Sequence, residues 1–309
     1  MGASVRVGVT GSSGLIGSAL AAALHERGDE VVRFVRPDSP DTDDRIVRWD
    51  PDLHFIDEGD LARVEHFDAV VNLAGVGIGD DRWSPSRKRD IRSSRINATT
   101  LMVEALLTMS RKPAIVASGS AVGVYGSCDD DLLDESSFPG DDFLAEVCLE
   151  WEKATLPLEE AGIAVAHLRT GIVMSTRGGA LKRQLPLFRA GLGGRLSNGR
   201  QWLSPISLHD EVRAILWILD QGLKGPINLV SPMPVRNKDF TKTLGQALHR
   251  PALLWVPAKA LKIVLGKELT TGAVLASQRV IPMALLKSGF HFDNPGPSSI
   301  LRAAWPSDE

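Results

Sequence analysis

Three glycines stand three apart, Gly11, Gly14 and Gly17, directly after a run in which Val5, Val7 and Val9 alternate with Arg6 and Gly8. That alternation belongs to a buried strand, and the small-residue run at 19–27, closed by Gly28, reads as a helix with a glycine C-cap. Between strand and helix each glycine has a physical task. One lets the chain turn tightly, one lets main-chain N–H groups approach a pyrophosphate, and one lets the helix pack against the sheet. Unpaired N–H groups at the helix start favour an anion there. Gly11, Ser12, Ser13, Gly14, Leu15, Ile16 and Gly17 are therefore expected to hold the phosphates of a dinucleotide. About 18 residues beyond the last glycine, where an acid would bind the ribose hydroxyls, the chain has Val35 and then Arg36, with Arg33 one pleat back. A guanidinium pairs with a 2′-phosphate in bidentate fashion. NADP(H) is the expected cofactor, with NAD(H) the less favoured choice.

The elements that must position this turn are legible as a rhythm. Strand-like runs cover 30–35, 45–49, 69–73, 114–117 and 164–168, and helical patterns cover 84–93, 96–109 and 143–160. Strands alternating with helices require right-handed crossovers and a parallel sheet covered on both faces. The expected class is α/β, a Rossmann-type doubly wound parallel sheet. Residues 1–170 form the dinucleotide-binding domain, rejoined by about 203–230. Beyond Arg169 glycines punctuate a stretch with little strand signal, followed by a helix at 211–221, a strand at 227–230 and helices at 237–247 and 259–265. Residues 171–309 are read mainly as a smaller substrate domain with a C-terminal extension.

Composition narrows the class. A net charge of −3 over 309 residues argues against nucleic acid as partner. No apolar run of about 18 residues suggests a membrane span. Cys128 and Cys148 lack metal-ligand spacing and are too few for a disulfide scaffold. No metal site is expected, and a cytoplasmic location is.

The stretches TGSSGLIGSAL, NLAG (72–75), NATT (97–100), SGSAVGVYG (118–126) and LRTGIV (168–173) follow in order. Together they resemble the extended short-chain dehydrogenase/reductase family, which includes nucleoside-diphosphate-sugar epimerases and dehydratases. RWSPSRKRDIRSSR (82–95), DDFLAEVCLEWE (141–152), GGRLSNGRQW (194–202), PMPVRNKDF (232–240) and the 278–290 segment are similar to an atypical subgroup of epimerase-family, NADP-dependent oxidoreductases. The resemblance implies that Leu73, Ala74 and Gly75, with Asn97 and Arg169, also line the cofactor. It implies a catalytic serine at Ser120 and a homodimer formed through the helices at 96–109 and 143–160.

One departure matters. Members of the family act through a serine and a Tyr-x-x-x-Lys pair, whose ammonium lowers the tyrosine pKa. Tyr125 is the single tyrosine of this chain, and four residues on stands Asp129. Alignment puts Phe143 or Leu144 where the tyrosine would stand and Val147 or Cys148 where the lysine would. Phe143, Val147 and Trp151 share a helical face and read as core. Tyr125 remains as a candidate proton donor beside Ser120.

No Asp or Glu occurs between Ala161 and His209, where the average composition would place about six. Arg195 and Arg200 lie in this window with Gln201 and Trp202, and these four, with Arg95, are expected to bind a small, anionic substrate. The competing reading is a basic face paired with acids elsewhere, such as those at 129–135. His209–Asp210 reads as a structural helix start. Three functions stay open: an NADP(H)-dependent oxidoreductase, a nucleoside-diphosphate-sugar epimerase or dehydratase, and a non-catalytic NADP-binding sensor or interaction protein.

Overall fold

The computed structural model describes residues 4–305. Numbering only the strands of the main sheet, these are β1 (Arg6–Thr10), β2 (Glu30–Val35), β3 (Ile46–Asp50), β4 (Phe55–Ile56), β5 (Ala69–Asn72), β6 (Ile115–Ala121), β7 (Ala164–Thr170) and β8 (Gly225–Leu229). The order across the sheet is β8-β7-β6-β5-β1-β2-β3-β4, parallel throughout except for β4, which runs antiparallel to β3. Chain direction across the sheet reverses between β1 and β5. Their carboxyl ends open the crevice in which such sheets bind ligands.

The helices include α1 (Leu15–Arg27), α2 (Glu58–Val64), α3 (Pro85–Thr108), α4 (Phe143–Lys153), α5 (Leu156–Glu160), α6 (Gly179–Arg189), α7 (Leu208–Gln221), α8 (Asn237–Ala247) and α9 (Ala258–Leu265), of which α1–α5 and α7 lie against the main sheet. On one face Leu20 and Leu24 of α1 and Ile215 and Ile218 of α7 pack with Val7, Val9 and Leu168. On the other, Leu101, Met102 and Leu106 of α3 pack with Phe34, Trp49 and Phe67. Each such fully buried side chain contributes about 2 kcal/mol, so the sheet is clamped between two apolar layers.

Three expectations are corrected. The patterns at 84–93 and 96–109 are one helix, α3, because nothing between Ser93 and Ile96 breaks it; Ser84 caps its start by accepting from the Arg87 N–H, and Pro85 opens it. The pattern at 143–160 is two helices, since Pro157 forces a new start and the Thr155 hydroxyl donates to the Glu152 carbonyl at 2.7 Å. The glycine-punctuated stretch after Arg169 contains α6, with Pro186 inside it. Its buried Leu181, Leu185 and Phe188 pack with Phe240, Leu244 and Ile300 in a separate cluster, which outweighs the local cost of proline and glycine.

Candidate functional site

The turn after β1 is built by sterics. Gly11 has φ +64°, and a Cβ there would lie 2.6 Å from the Leu73 carbonyl oxygen. A Cβ on Gly17 would collide with the Gly11 carbonyl. The α1 N-cap is Gly14, with no side-chain cap, so N–H groups of the first turn stay available to an anion. Gly11 therefore packs closely against Leu73 and Ala74, at the switch point of the sheet.

One hydroxyl holds both loops together. Thr10 Oγ1 accepts from the Leu73 and Ala74 N–H groups (3.0 and 3.1 Å) and donates to Asn72 Oδ1 (2.7 Å). Asn72 Nδ2 donates to Thr99 Oγ1 on α3 at 2.9 Å, and Trp151 Nε1 of α4 donates to the same oxygen at 2.9 Å. The Trp151 ring lies against Gly119, where a Cβ would come within 2.6 Å of it. A buried polar chain thus runs from the end of β1 to α4, beside Ser120. Its members, Thr10, Asn72 and Thr99, lie in the TGSSGLIGSAL, NLAG and NATT stretches, but the sequence does not show that they bond to one another.

At the end of β6 Ser120 is buried, and its Oγ donates to Glu152 Oε1 at 2.6 Å. Arg169, at the end of β7, grips the same carboxylate in a fork, Nε to Oε1 at 2.9 Å and Nη2 to Oε2 at 3.0 Å. Burial pushes the Glu152 carboxyl up, but the Arg169 fork outweighs it and leaves the pKa below the ordinary value. Burial likewise opposes the Arg169 charge and Glu152 restores it, so that guanidinium stays protonated more firmly than usual. Glu152 was not singled out in the sequence, because the acid lies 32 positions from its serine and 17 from its arginine.

Tyr125 has no free proton to give. Its ring is 1 % exposed, its hydroxyl donates to Asn228 Oδ1 at 2.7 Å, and Arg169 Nη1 donates to it at 3.1 Å. Burial raises its pKa above the usual 10.0, against Arg169. The geometry makes Tyr125 a strut between β6 and β8 rather than an acid facing the cleft. Arg169, expected at the cofactor, is committed to Glu152 and Tyr125. Cys148, at the aligned lysine position, has its thiol pushed up to about 12 by burial, so it holds its proton. Phe143 meets Trp83 edge-on at 5.3 Å, and Val147 and Trp151 are buried, as core side chains are.

Just past the Arg169 position, on the other face of β7, sits a second buried carboxyl. Glu211 of α7 accepts from Thr170 Oγ1 at 2.8 Å, while its Oε2 has no hydrogen-bond partner among the described residues. Burial raises its pKa to about 8, so it is a neutral acid where Glu152 is an ion.

The two arginines near the end of β2 pair with acids. Arg36 is half-exposed, bonded to Asp50 and, at 2.9 Å, to Asp52; Arg33 pairs with Asp41 at 2.6 Å. Asn97 sits part-buried on α3. The expected substrate residues fall into two places. Arg200 and Gln201 line a cavity of about 400 Å³ with Asp130, Arg236 and Ser277. Trp202 lies between the Arg236 and Arg279 guanidinia, at 4.2 and 4.6 Å, and donates to Asp130 at 3.1 Å; Arg195 is exposed nearby. Arg95 stands apart, against Gly75 and Trp151. The acid-free window finds some partners elsewhere, Glu152 for Arg169 and Asp80 for Arg183.

His209, Asp210 and Asp293 bring their ligand atoms within 4.8 Å of one another. Arg213 lies among them, 2.8 Å from Asp210 and 3.1 Å from Asp293, and two backbone N–H groups also occupy Asp210. A guanidinium already supplies the positive charge, and the group ties α7 to the 293–294 loop. No helix among the described residues is long and apolar enough to cross a membrane.

Comparison with known proteins agrees with this geometry. Residues 7–229 match the NAD dependent epimerase/dehydratase family, and residues 256–304 match a domain of unknown function, DUF1731. Epimerase family protein ML0860 of Mycobacterium leprae is 44% identical over 287 residues, 93% of this chain and 91% of that protein. The chloroplastic epimerase family protein SDR39U1 homolog of Arabidopsis thaliana is 36% identical over 301 residues, 96% and 86% of the two. The crystal structure of human epimerase family protein SDR39U1 (isoform2) with NADPH superposes with a TM-score of 0.84 at 28% identity, covering 97% of this chain and 99% of that one.

Proposed function

The chain belongs to the NAD dependent epimerase/dehydratase family, and from that premise we propose that it is an NADP(H)-dependent oxidoreductase acting on a small substrate. The observation that carries this reading is the turn at 11–17. Gly11 and Gly17 let the turn close, since a side chain on either would collide with the Leu73 or Gly11 carbonyl, and Thr10 fixes the facing 73–75 turn. The NADPH in the human relative and the two arginines near the end of β2 favour NADP(H) over NAD(H). A 2′-phosphate would take over from Asp50, Asp52 and Asp41 as the partner of Arg36 and Arg33.

When bound, the nicotinamide supplies or accepts a hydride. The chain's own residues position the reacting group. Ser120 donates its proton to Glu152, which leaves its oxygen lone pairs as acceptors for a substrate hydroxyl. The Glu152–Arg169 pair holds that orientation without storing a transferable proton. In contrast to the family's tyrosine and lysine, this corner orients rather than titrates, and the proton passes between substrate and solvent.

Fluorescence titration with NADPH and NADH tests the cofactor. NADPH is expected to bind at least tenfold tighter, and Arg36→Glu to reverse the order; equal binding overturns the NADP(H) preference. A second reading, an NADP(H) sensor without turnover, is favoured by one observation: the Tyr125 hydroxyl is committed to Asn228. Consumption of NADPH with any member of a carbonyl panel excludes the sensor. Conversion of a sugar nucleotide without net cofactor consumption would instead mark an epimerase.

A further inference from the structure

We infer that the cleft beside Gly75 binds the carboxylate or phosphate of an anionic substrate on the Arg95 guanidinium. The inference rests on the oxidoreductase reading of the same cleft and adds the charge of what it acts on.

Arg95 leaves α3 near its middle and folds onto the 73–76 turn, donating to the Val76 carbonyl at 3.1 Å and to the Ile91 carbonyl at 2.9 Å. Its guanidinium carbon lies 5.2 Å from the Trp151 ring. Its hydrogen bonds go to carbonyl oxygens and its face to a ring, and no ion pair with a carboxylate joins them among the described residues. Its neighbours are served differently. Arg92, one turn earlier, meets Glu146 and Glu150 at 2.9 and 3.3 Å, Arg87 lies 3.5 Å from Asp80, and Arg169 holds Glu152. Burial disfavours the Arg95 charge and Arg87 repels it further, so its pKa is lowered. An enclosed cation without a counter-charge is costly, and a bound anion removes that cost.

The place is right for a substrate. Gly75 is exposed, and a Cβ on it would stand 3.2 Å from Arg95 Cγ, so the missing side chain leaves the arginine approachable. Trp151 links the two places: Arg95 lies over its ring, and the same ring lies against Gly119, the residue before Ser120. The planar fork of an arginine fits the paired oxygens of a carboxylate or phosphate. A ligand held there by its anionic end presents its other end to Ser120.

The test titrates full-length protein, free and saturated with NADP⁺, with sodium acetate and with inorganic phosphate at ionic strength held constant by chloride. The expected result is saturable binding of at least one anion, weakened tenfold or more in Arg95→Gln and largely retained in Arg95→Lys, with NADPH affinity changed less than twofold in both. Three results would overturn the inference: no saturable binding of either anion, equal binding by Arg95→Gln, or a loss of NADPH affinity in Arg95→Gln as large as the loss of anion binding. The last would give Arg95 to a cofactor phosphate. Should the wild type bind an anion through Arg95 but no NADPH, the oxidoreductase reading falls and the anion site stands.

Discussion

The turn at 11–17 and the corner around Ser120 lie at the ends of β1 and β6, with β5 between them, and are built from opposite materials. The first is main chain: glycines, N–H groups and a helix start, with Thr10 as the one side chain that matters. The second is side chain: Ser120, Glu152, Arg169, Tyr125 and Asn228 in one buried network. A main-chain turn tolerates little because a single Cβ collides with its backbone. A side-chain site is costly because each group left unpaired keeps its desolvation penalty. The two regions should therefore fail in different ways, the first in binding and the second in stability.

The sharpest separation comes from Gly17→Ala. Its methyl must displace the Gly11 carbonyl, and NADPH affinity is expected to fall by about 100-fold or more, about 2.7 kcal/mol. Ser120→Ala should change that affinity less than about threefold. If Gly17→Ala binds NADPH like the wild type, the turn is no phosphate cradle and the contrast collapses.

Breaking the corner's ion pair tests the other half. Glu152→Ala strands a buried guanidinium and should cost about 3–5 kcal/mol in denaturant unfolding. Glu152→Ala combined with Arg169→Met should recover much of that loss. A single-variant cost below about 1 kcal/mol would mean that the corner is as wet as the surface.

Two carboxyls at the end of β7 give opposite pH slopes. The lowered pKa of Glu152 contributes stability that is present above the ordinary value of 4.5 and lost as pH falls through its folded value. Glu211, raised to about 8, contributes most below the ordinary carboxylate value of 4.5, and that contribution drains away as pH rises to its folded value. Glu211→Gln should therefore become more stable relative to the wild type as pH climbs from 5 to 8, by a difference on the order of a few kcal/mol. Unfolding curves at the two pH values read it directly; a constant difference would show that Glu211 is ionised and hydrated.

The smallest effect is expected from Tyr125→Phe, which loses the bonds of one hydroxyl and about 1–2 kcal/mol of stability. If this tyrosine is a strut, the variant keeps the pH profile of NADPH consumption. A shift in that profile would return Tyr125 to catalysis and turn the corner from an orienting device into a titrating one.

How much could be read beforehand follows the same division. The turn, the parallel sheet and the helix at 237–247 were legible because each depends on neighbours in sequence: glycine spacing, alternation and helical period. The break near Pro157 and the helix at 179–189 were harder, because packing of Leu181, Leu185 and Phe188 overrules local propensity. Glu152 could have been suspected only by asking which acid would partner the acid-poor window's Arg169.

The amino-acid sequence by itself determined the glycine turn between β1 and α1, since strand alternation, glycine spacing and the positive φ of Gly11 are local properties of the chain. It also determined what was missing, a second phenol and a lysine at their usual spacing. Only the tertiary structure decided that Tyr125 is a strut, that Glu152 is an ion and Glu211 a neutral acid, and that Arg95 meets no carboxylate among the described residues. Those outcomes depend on which charges and hydrogen-bond partners meet within about 3 Å after burial, and residues 17, 32 or 103 positions apart are brought that close only by the fold.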